Sequence, residues 1–259
     1  MSTLPATSES GGASSAFRRV LAQCRFETAA VLRNGEQLLL TLVLPLLGLT
    51  VMLRTELLPV PGHPGARAAA AVAGVVALAV ASQLTSQAIG LAFDRRWGVL
   101  RLLATTPLGP RGLLAGRLGA VLVVLAVQVG VILLGGLVLG WRPVPDLPVM
   151  AGGAVLVVLG AAAFVALAVL LGGTLRAEAV LAVANLLWVL MAAGGGLLVP
   201  AQSLPDPLAT AVEFLPSGAL GEGLRHLAIS GALDLGAVAV LIVWAAVGTW
   251  AAARWFRWE

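Results

Sequence analysis

The sequence predicts an all-α integral membrane protein with six transmembrane helices, and three observations predict it. With 59% hydrophobic residues, 11% charged residues and a mean hydropathy of +1.00, a chain of 259 residues cannot fold as a soluble globule. Six uncharged apolar runs, about 37–53, 68–93, 118–141, 149–175, 179–199 and 235–253, meet or approach the roughly 20 residues that cross a bilayer as a helix. The 16 basic residues are all arginine, and with both termini cytoplasmic twelve of them lie inside and four outside, as the positive-inside rule requires.

Residues 1–16 are rich in Ser, Thr, Gly and Ala and lack a basic region joined to an apolar one, so they predict a disordered cytoplasmic tail. From residue 17 to 259 the chain predicts one membrane domain. Phe17, Val20, Leu21, Cys24, Thr28, Val31 and Leu32 recur at helical spacing, with Arg18, Arg25 and Arg33 elsewhere on the wheel. That pattern is an amphipathic helix in the membrane interface. A single cysteine, Cys24, excludes an internal disulfide.

The segment from Phe93 to Arg117 places five arginines and one acid between two apolar spans. Trp97, Leu100, Leu103 and Ala104 fall on one helical face and Arg95, Arg96 and Arg101 largely off it, which predicts a short cytoplasmic helix at the membrane surface. The third span carries a Gly136/Gly140 pair of the kind that lets helices approach closely. Farther on, Leu208 to Phe214 and Ala219 to Ile229 predict two short helices around Pro216-Ser217-Gly218, with Ser217 as N-cap of the second. Gly194, Gly195, Gly196 and Pro200 at the outer end of the fifth span allow a bend or a close helix crossing.

None of the six runs contains Asp, Glu, His, Lys or Arg, so there is no proton relay of the kind that ion-coupled transporters carry at membrane depth. His63 and His226 fall in external connections, no Cys/His cluster has metal spacing, and no metal site is expected. ATP hydrolysis by this chain is excluded because a Walker A loop needs a lysine and the sequence has none. Anionic lipid and cytosolic protein account for a sequence pI near 11.2, with no call for nucleic acid. Inside the spans, polarity collects at Gln83 and Gln87, one turn apart, and at Asn185 and Trp188, three residues apart. Cavity lining and interhelical hydrogen bonding both fit these four.

Three segments carry a family resemblance: FDRRWGVLRLLATTPLGPRGLLAGRL after the second span, LGGTLRAEAVLAVANLLW across the fourth and fifth, and LLVPAQSLPDPLATAVEFLPSGALGEGLRHL before the sixth. In order and spacing the chain, over residues 17–258, resembles an ABC-2 type permease, the membrane subunit of an ABC exporter of the daunorubicin-resistance type, with an actinobacterial composition. The resemblance implies a multi-pass permease of the cell membrane that moves a hydrophobic or amphipathic solute (drug, lipid or natural product) outward. It is no enzyme by itself: two copies of a separate ABC ATPase subunit supply ATP and Mg, and a second permease copy completes a dimer. A lipid flippase or haem-type exporter on the same architecture, and a scaffold or channel docking a cytosolic partner, are the alternatives.

By the same likeness, Asp94, Arg95, Arg96, Trp97, Gly98, Leu100 and Arg101 form the coupling helix that contacts the ATPase, with Arg18 and Arg25 of the N-terminal helix touching the same partner. Gln83, Gln87, Asn185 and Trp188 would line the substrate pathway. The two short helices would form a re-entrant extracytoplasmic hairpin, with Gly195, Pro200, Glu222 and Arg225 at an external gate.

In a Cys24→Ser background, the variant R101C should react with a membrane-impermeant maleimide only from the cytosolic face and R142C only from the outer face. Labelling of R101C in intact cells would invert the orientation.

Overall fold

The computed structural model describes residues 15–35, 39–55, 64–104, 108–143 and 146–256, without side-chain detail for Leu40, Leu103, Ala104, Gly109, Pro110, Arg111, Leu113 and Leu114. Residues 1–14 of the tail expected over 1–16, Gln37 at the start of the first span, the Thr106-Pro107 pair and Arg257 lie outside the described residues, while Ser15 and Ala16 already form the cap and first residue of a helix. Every regular element that is described is helical.

In chain order these are α1 (Ala16–Leu32), a π-helical turn (Leu39–Val43) leading into α2 (Leu44–Arg54), α3 (Pro64–Arg96), α4 (Val99–Ala104), α5 (Gly109–Val138), α6 (Leu147–Thr174) and α7 (Ala177–Gly194). A 3-10 turn (Ala201–Ser203), α8 (Asp206–Glu213), α9 (Pro216–Ser230) and α10 (Leu235–Trp255) follow. Proline occupies the first turn of α2, α5, α6, α8 and α9, where its missing N–H costs nothing and its fixed φ already suits a helix.

Among the described residues, five helices, α3, α5, α6, α7 and α10, are long and apolar enough to cross a membrane. The first expected span is shorter, a helical stretch over Thr41–Arg54. Its π-helical entry has a local cause, because Pro45 has no N–H for the Thr41 carbonyl four residues back. Gln128 of α5, only 2% exposed, donates from Nε2 to that carbonyl at 2.8 Å instead.

The core is built around α3, which packs against α6, α9, α7, α5 and α2. Its alanine-rich run is buried almost continuously from Ala69 to Leu84 and again at Ala88, Leu91 and Ala92, so neighbouring backbones come close. At Gly172 of α6, for instance, a Cβ would sit 2.7 Å from the Ala88 carbonyl oxygen. Phe164, Leu156, Leu220 and Leu241 fill the larger gaps and are fully buried. α10 lies against α6 and α9, while α1 lies along the N-terminal part of α5. There Gly112, Gly116 and Gly119 make room for Val20, Gln23 and Cys24, a small-residue stripe that matches the amphipathic face of α1.

Two local expectations are corrected. Gly140 does not pack as half of a pair within a helix: α5 ends at Val138, and Gly140, at φ 104°, stands just beyond its end. There the Trp141 N–H reaches the Gly136 carbonyl at 2.9 Å and the Gly140 N–H reaches Leu137 at 3.2 Å, the paired bonds of a Schellman ending. Likewise Ser217 is not an N-cap. The second short helix starts earlier, at Pro216 with Leu215 as N-cap, and Ser217 is fully buried inside its first turn.

The hairpin of α8 and α9 is locked by glycines. A Cβ on Gly218 would overlap the Val212 carbonyl of α8, and one on Gly221 would overlap the carbonyl of Gly196, which itself has φ 81°. These obstacles are backbone and cannot turn aside. Gly218→Ala should therefore lower stability by about 1–3 kcal/mol or more, read as a drop in unfolding temperature of the detergent-purified chain. Gly130→Ala, with nothing within 4 Å of the new methyl, should leave that temperature unchanged or raise it.

Candidate functional site

At one end of the bundle, α3, α4, α5, α6, α7 and α1 converge around the expected coupling residues. α3 continues through Asp94, Arg95 and Arg96, stops at Trp97, and turns at Gly98 with φ 73° before α4 begins. The single helix expected over 94–103 is therefore broken in two. The reason is Gly98, whose left-handed backbone no ordinary helix contains.

The break gives the charged residues different jobs. Arg95 donates from Nη1 to the Gly173 carbonyl and from Nη2 to the Leu175 carbonyl, satisfying the last turn of α6. Arg96 pairs with Glu178 in the first turn of α7, both side chains more than half exposed. Asp94 accepts from Arg117 of α5, whose Nε also lies 3.9 Å from Glu27 of α1. Gln23 donates to the same Glu27 carboxylate at 2.9 Å. Three helices thus meet at one ionic cluster, with Arg117 only 11% exposed.

What remains outward is a smaller, mostly apolar set. Trp97 is 70% exposed, its ring 5.2 Å from that of Phe93, and Leu102 is 70% exposed on α4. Arg101 is exposed as well and makes no ion pair among the described residues. Leu100, expected with Trp97 among the residues that contact the ATPase, is 2% exposed and pins α4 to its own bundle. Leu102, which the sequence reading passed over, takes its place on the outer side. Arg18 and Arg25 are exposed on α1.

Mid-membrane, Gln83 is buried on α3 and Gln87 half-buried, whereas Asn185 is exposed on α7 and Trp188 half-buried. The two helices are neighbours, joined by Thr85 Oγ1 donating to the Ala184 carbonyl at 3.3 Å. Within one chain Gln83 faces the core and Asn185 faces outward. Gln128, the polar group that most visibly repairs a helix break, was missed, although a lone glutamine in an apolar span is the signal that would have found it.

At the other end, the expected gate residues do come together. Arg225, 4% exposed, donates to the carbonyl of Gly196 and at 2.8 Å to that of Leu197, and its Nη2 lies 2.8 Å from Glu222 Oε1. Glu222 in turn accepts from the Ala201 N–H at 2.6 Å. One ion pair therefore holds both sides of the turn that ends α7 against α9. Gly195 and Pro200 are buried in the same turn, where a Cβ on Gly195 would stand 2.9 Å from Ser217 Oγ. Among the described residues, no three His, Cys, Asp or Glu side chains gather as metal ligands would. At both ends the charged side chains tie one helix to another.

Arg225→Leu would strand two buried carbonyls and the Glu222 carboxylate, and should cost about 3–5 kcal/mol, seen as a large fall in unfolding temperature. The double variant Arg225→Leu with Glu222→Gln should recover part of that loss.

Residues 55–254 match the family described as ABC-2 family transporter protein. Over 218 residues the chain is 25% identical to "Putative transport permease YvfS" of Bacillus subtilis (strain 168), covering 84% of this chain and 89% of that protein. With five helices of crossing length, a helical corner outside the apolar spans and a match over most of its length, the chain belongs to the ABC-2 transporter family as a multi-pass membrane transport subunit.

Proposed function

We propose that the chain is the permease half of an ATP-driven exporter, docked through α4 on a separate ABC ATPase subunit that binds ATP and Mg, with two ATPase copies serving a permease dimer. Both termini face the cytoplasm in this reading. The observation that carries it is the corner around Gly98: Trp97, Arg101 and Leu102 are exposed, while Leu100 and Arg95 fasten the same corner to the core and to the end of α6. An aromatic, an arginine and a leucine in one exposed patch suit a protein interface, where such side chains dominate binding.

Motion applied to α4 reaches the membrane through α3 and, by Arg95 and Arg96, through the α6–α7 corner. A pair of ATPase subunits closing on ATP does this work. The cargo is a hydrophobic or amphipathic solute, because the spans carry no ionisable groups and only a few amides for a polar one to bond. Asn185 and Trp188, on the outward side of α7, line the path where a second copy of the chain completes it.

In mild detergent a stoichiometric ABC ATPase should accompany the chain. The variant Trp97→Ala with Leu102→Ala should reduce ATPase recovery by about tenfold or more while the permease keeps its unfolding temperature. Undiminished recovery would overturn docking through α4. Arg95 is unsuitable for this test, since its loss also frees two carbonyls of the bundle.

A further inference from the structure

At the end of the bundle opposite α4, the 3-10 turn, α8, α9 and the start of α10 surround a cavity of about 470 Å³. That volume suits a small organic molecule. Its walls are apolar at Phe214, Ile229 and Val240, and charged at Glu213, Glu222, Arg225 and Asp234. Arg225 spends its guanidinium on two carbonyls and on Glu222, so this pair contributes no net charge to the space. Glu213 and Asp234 make no ion pair among the described residues. Asp234 uses Oδ1 to cap α10, accepting from the Gly236 N–H at 2.8 Å and the Ala237 N–H at 3.3 Å. The cavity thus carries two carboxylates that no arginine among the described residues balances, with the His226 imidazole in the same wall.

An aromatic ring completes the pattern. Phe214 is 66% exposed at the rim, and its backbone is fixed by Trp244, whose Nε1 donates to the Phe214 carbonyl at 2.8 Å. Carboxylates beside an open aromatic face attract an ammonium group through charge and through the ring quadrupole together. The same carboxylates repel anions, and the apolar wall favours a hydrocarbon body over a bare metal ion.

We propose that this cavity binds an organic ammonium ion with an apolar body, the nitrogen held between Glu213 and Asp234 and the body laid along Phe214, Ile229 and Val240. The ammonium comes either from a dissolved amphipathic amine or from the amine headgroup of a lipid. Binding here needs neither ATP nor a partner subunit, so its failure would leave the permease reading untouched.

The full chain in phosphatidylglycerol nanodiscs, with empty discs as background, is titrated with dansylcadaverine and with its N-acetylated, uncharged form. Saturable binding of the amine is expected, with the acetylated probe at least about tenfold weaker. Glu213→Gln combined with Asp234→Asn should weaken the amine at least about tenfold, while asparagine still caps α10 and the unfolding temperature holds. Equal binding of the two probes, equal binding by wild type and double variant, or non-saturable partition would each overturn the proposal. Weaker amine binding in discs that also contain phosphatidylethanolamine would assign the site to a lipid headgroup. Unchanged binding in those discs would assign it to a dissolved amine, and either result upholds the ammonium chemistry.

Discussion

A helix that stops inside or beside a bilayer leaves backbone carbonyls that water cannot reach, and this chain meets that constraint with side chains sent from other helices. Arg95 serves the end of α6, Arg225 serves the turn after α7, and Gln128 serves the proline-broken entry to α2. Each is a planar group that bonds a break in one helix from a position on another. Removing the repair would leave the break, and with it the register of the neighbouring helix, undetermined.

The same constraint explains how charge is distributed. Ionisable groups are absent from the apolar runs and gather at the two ends, where they tie helices to one another. At the α4 end the ties run from α3 to α6, α7, α5 and α1; at the opposite end one ion pair joins α9 to the turn behind α7. Between the ends, α3 offers almost nothing larger than valine or leucine to its neighbours, so its position is set by close backbone contact. The bundle is held by its ends and spaced by its alanines.

Much of the architecture was legible because it follows from counting. Apolar runs near 20 residues, arginine asymmetry and the amphipathic period of residues 17–32 each report one element at a time. The cluster at the opposite end was readable in part, since glycines, prolines and an i, i+3 Glu222/Arg225 pair sit within one short stretch. What escaped depends on distant contacts. No local pattern says that Arg95 and Arg96 bond to α6 and α7, that Leu100 is covered while Leu102 is exposed, or that Gln128 answers a carbonyl 87 positions away. The Gly98 break was written in the sequence, but a glycine inside an amphipathic period reads as tolerated until its φ is seen to be positive.

That glycine also fixes a mechanical ratio. A helix of six residues is about 9 Å long, so swinging α4 by about 10° about the joint would carry its far tip about 1.6 Å while its root stays in place. Leu100 anchors the first turn, so the arm is held near its pivot. A large displacement of that tip would therefore reach α3 as a small one, geared down in amplitude and correspondingly increased in force.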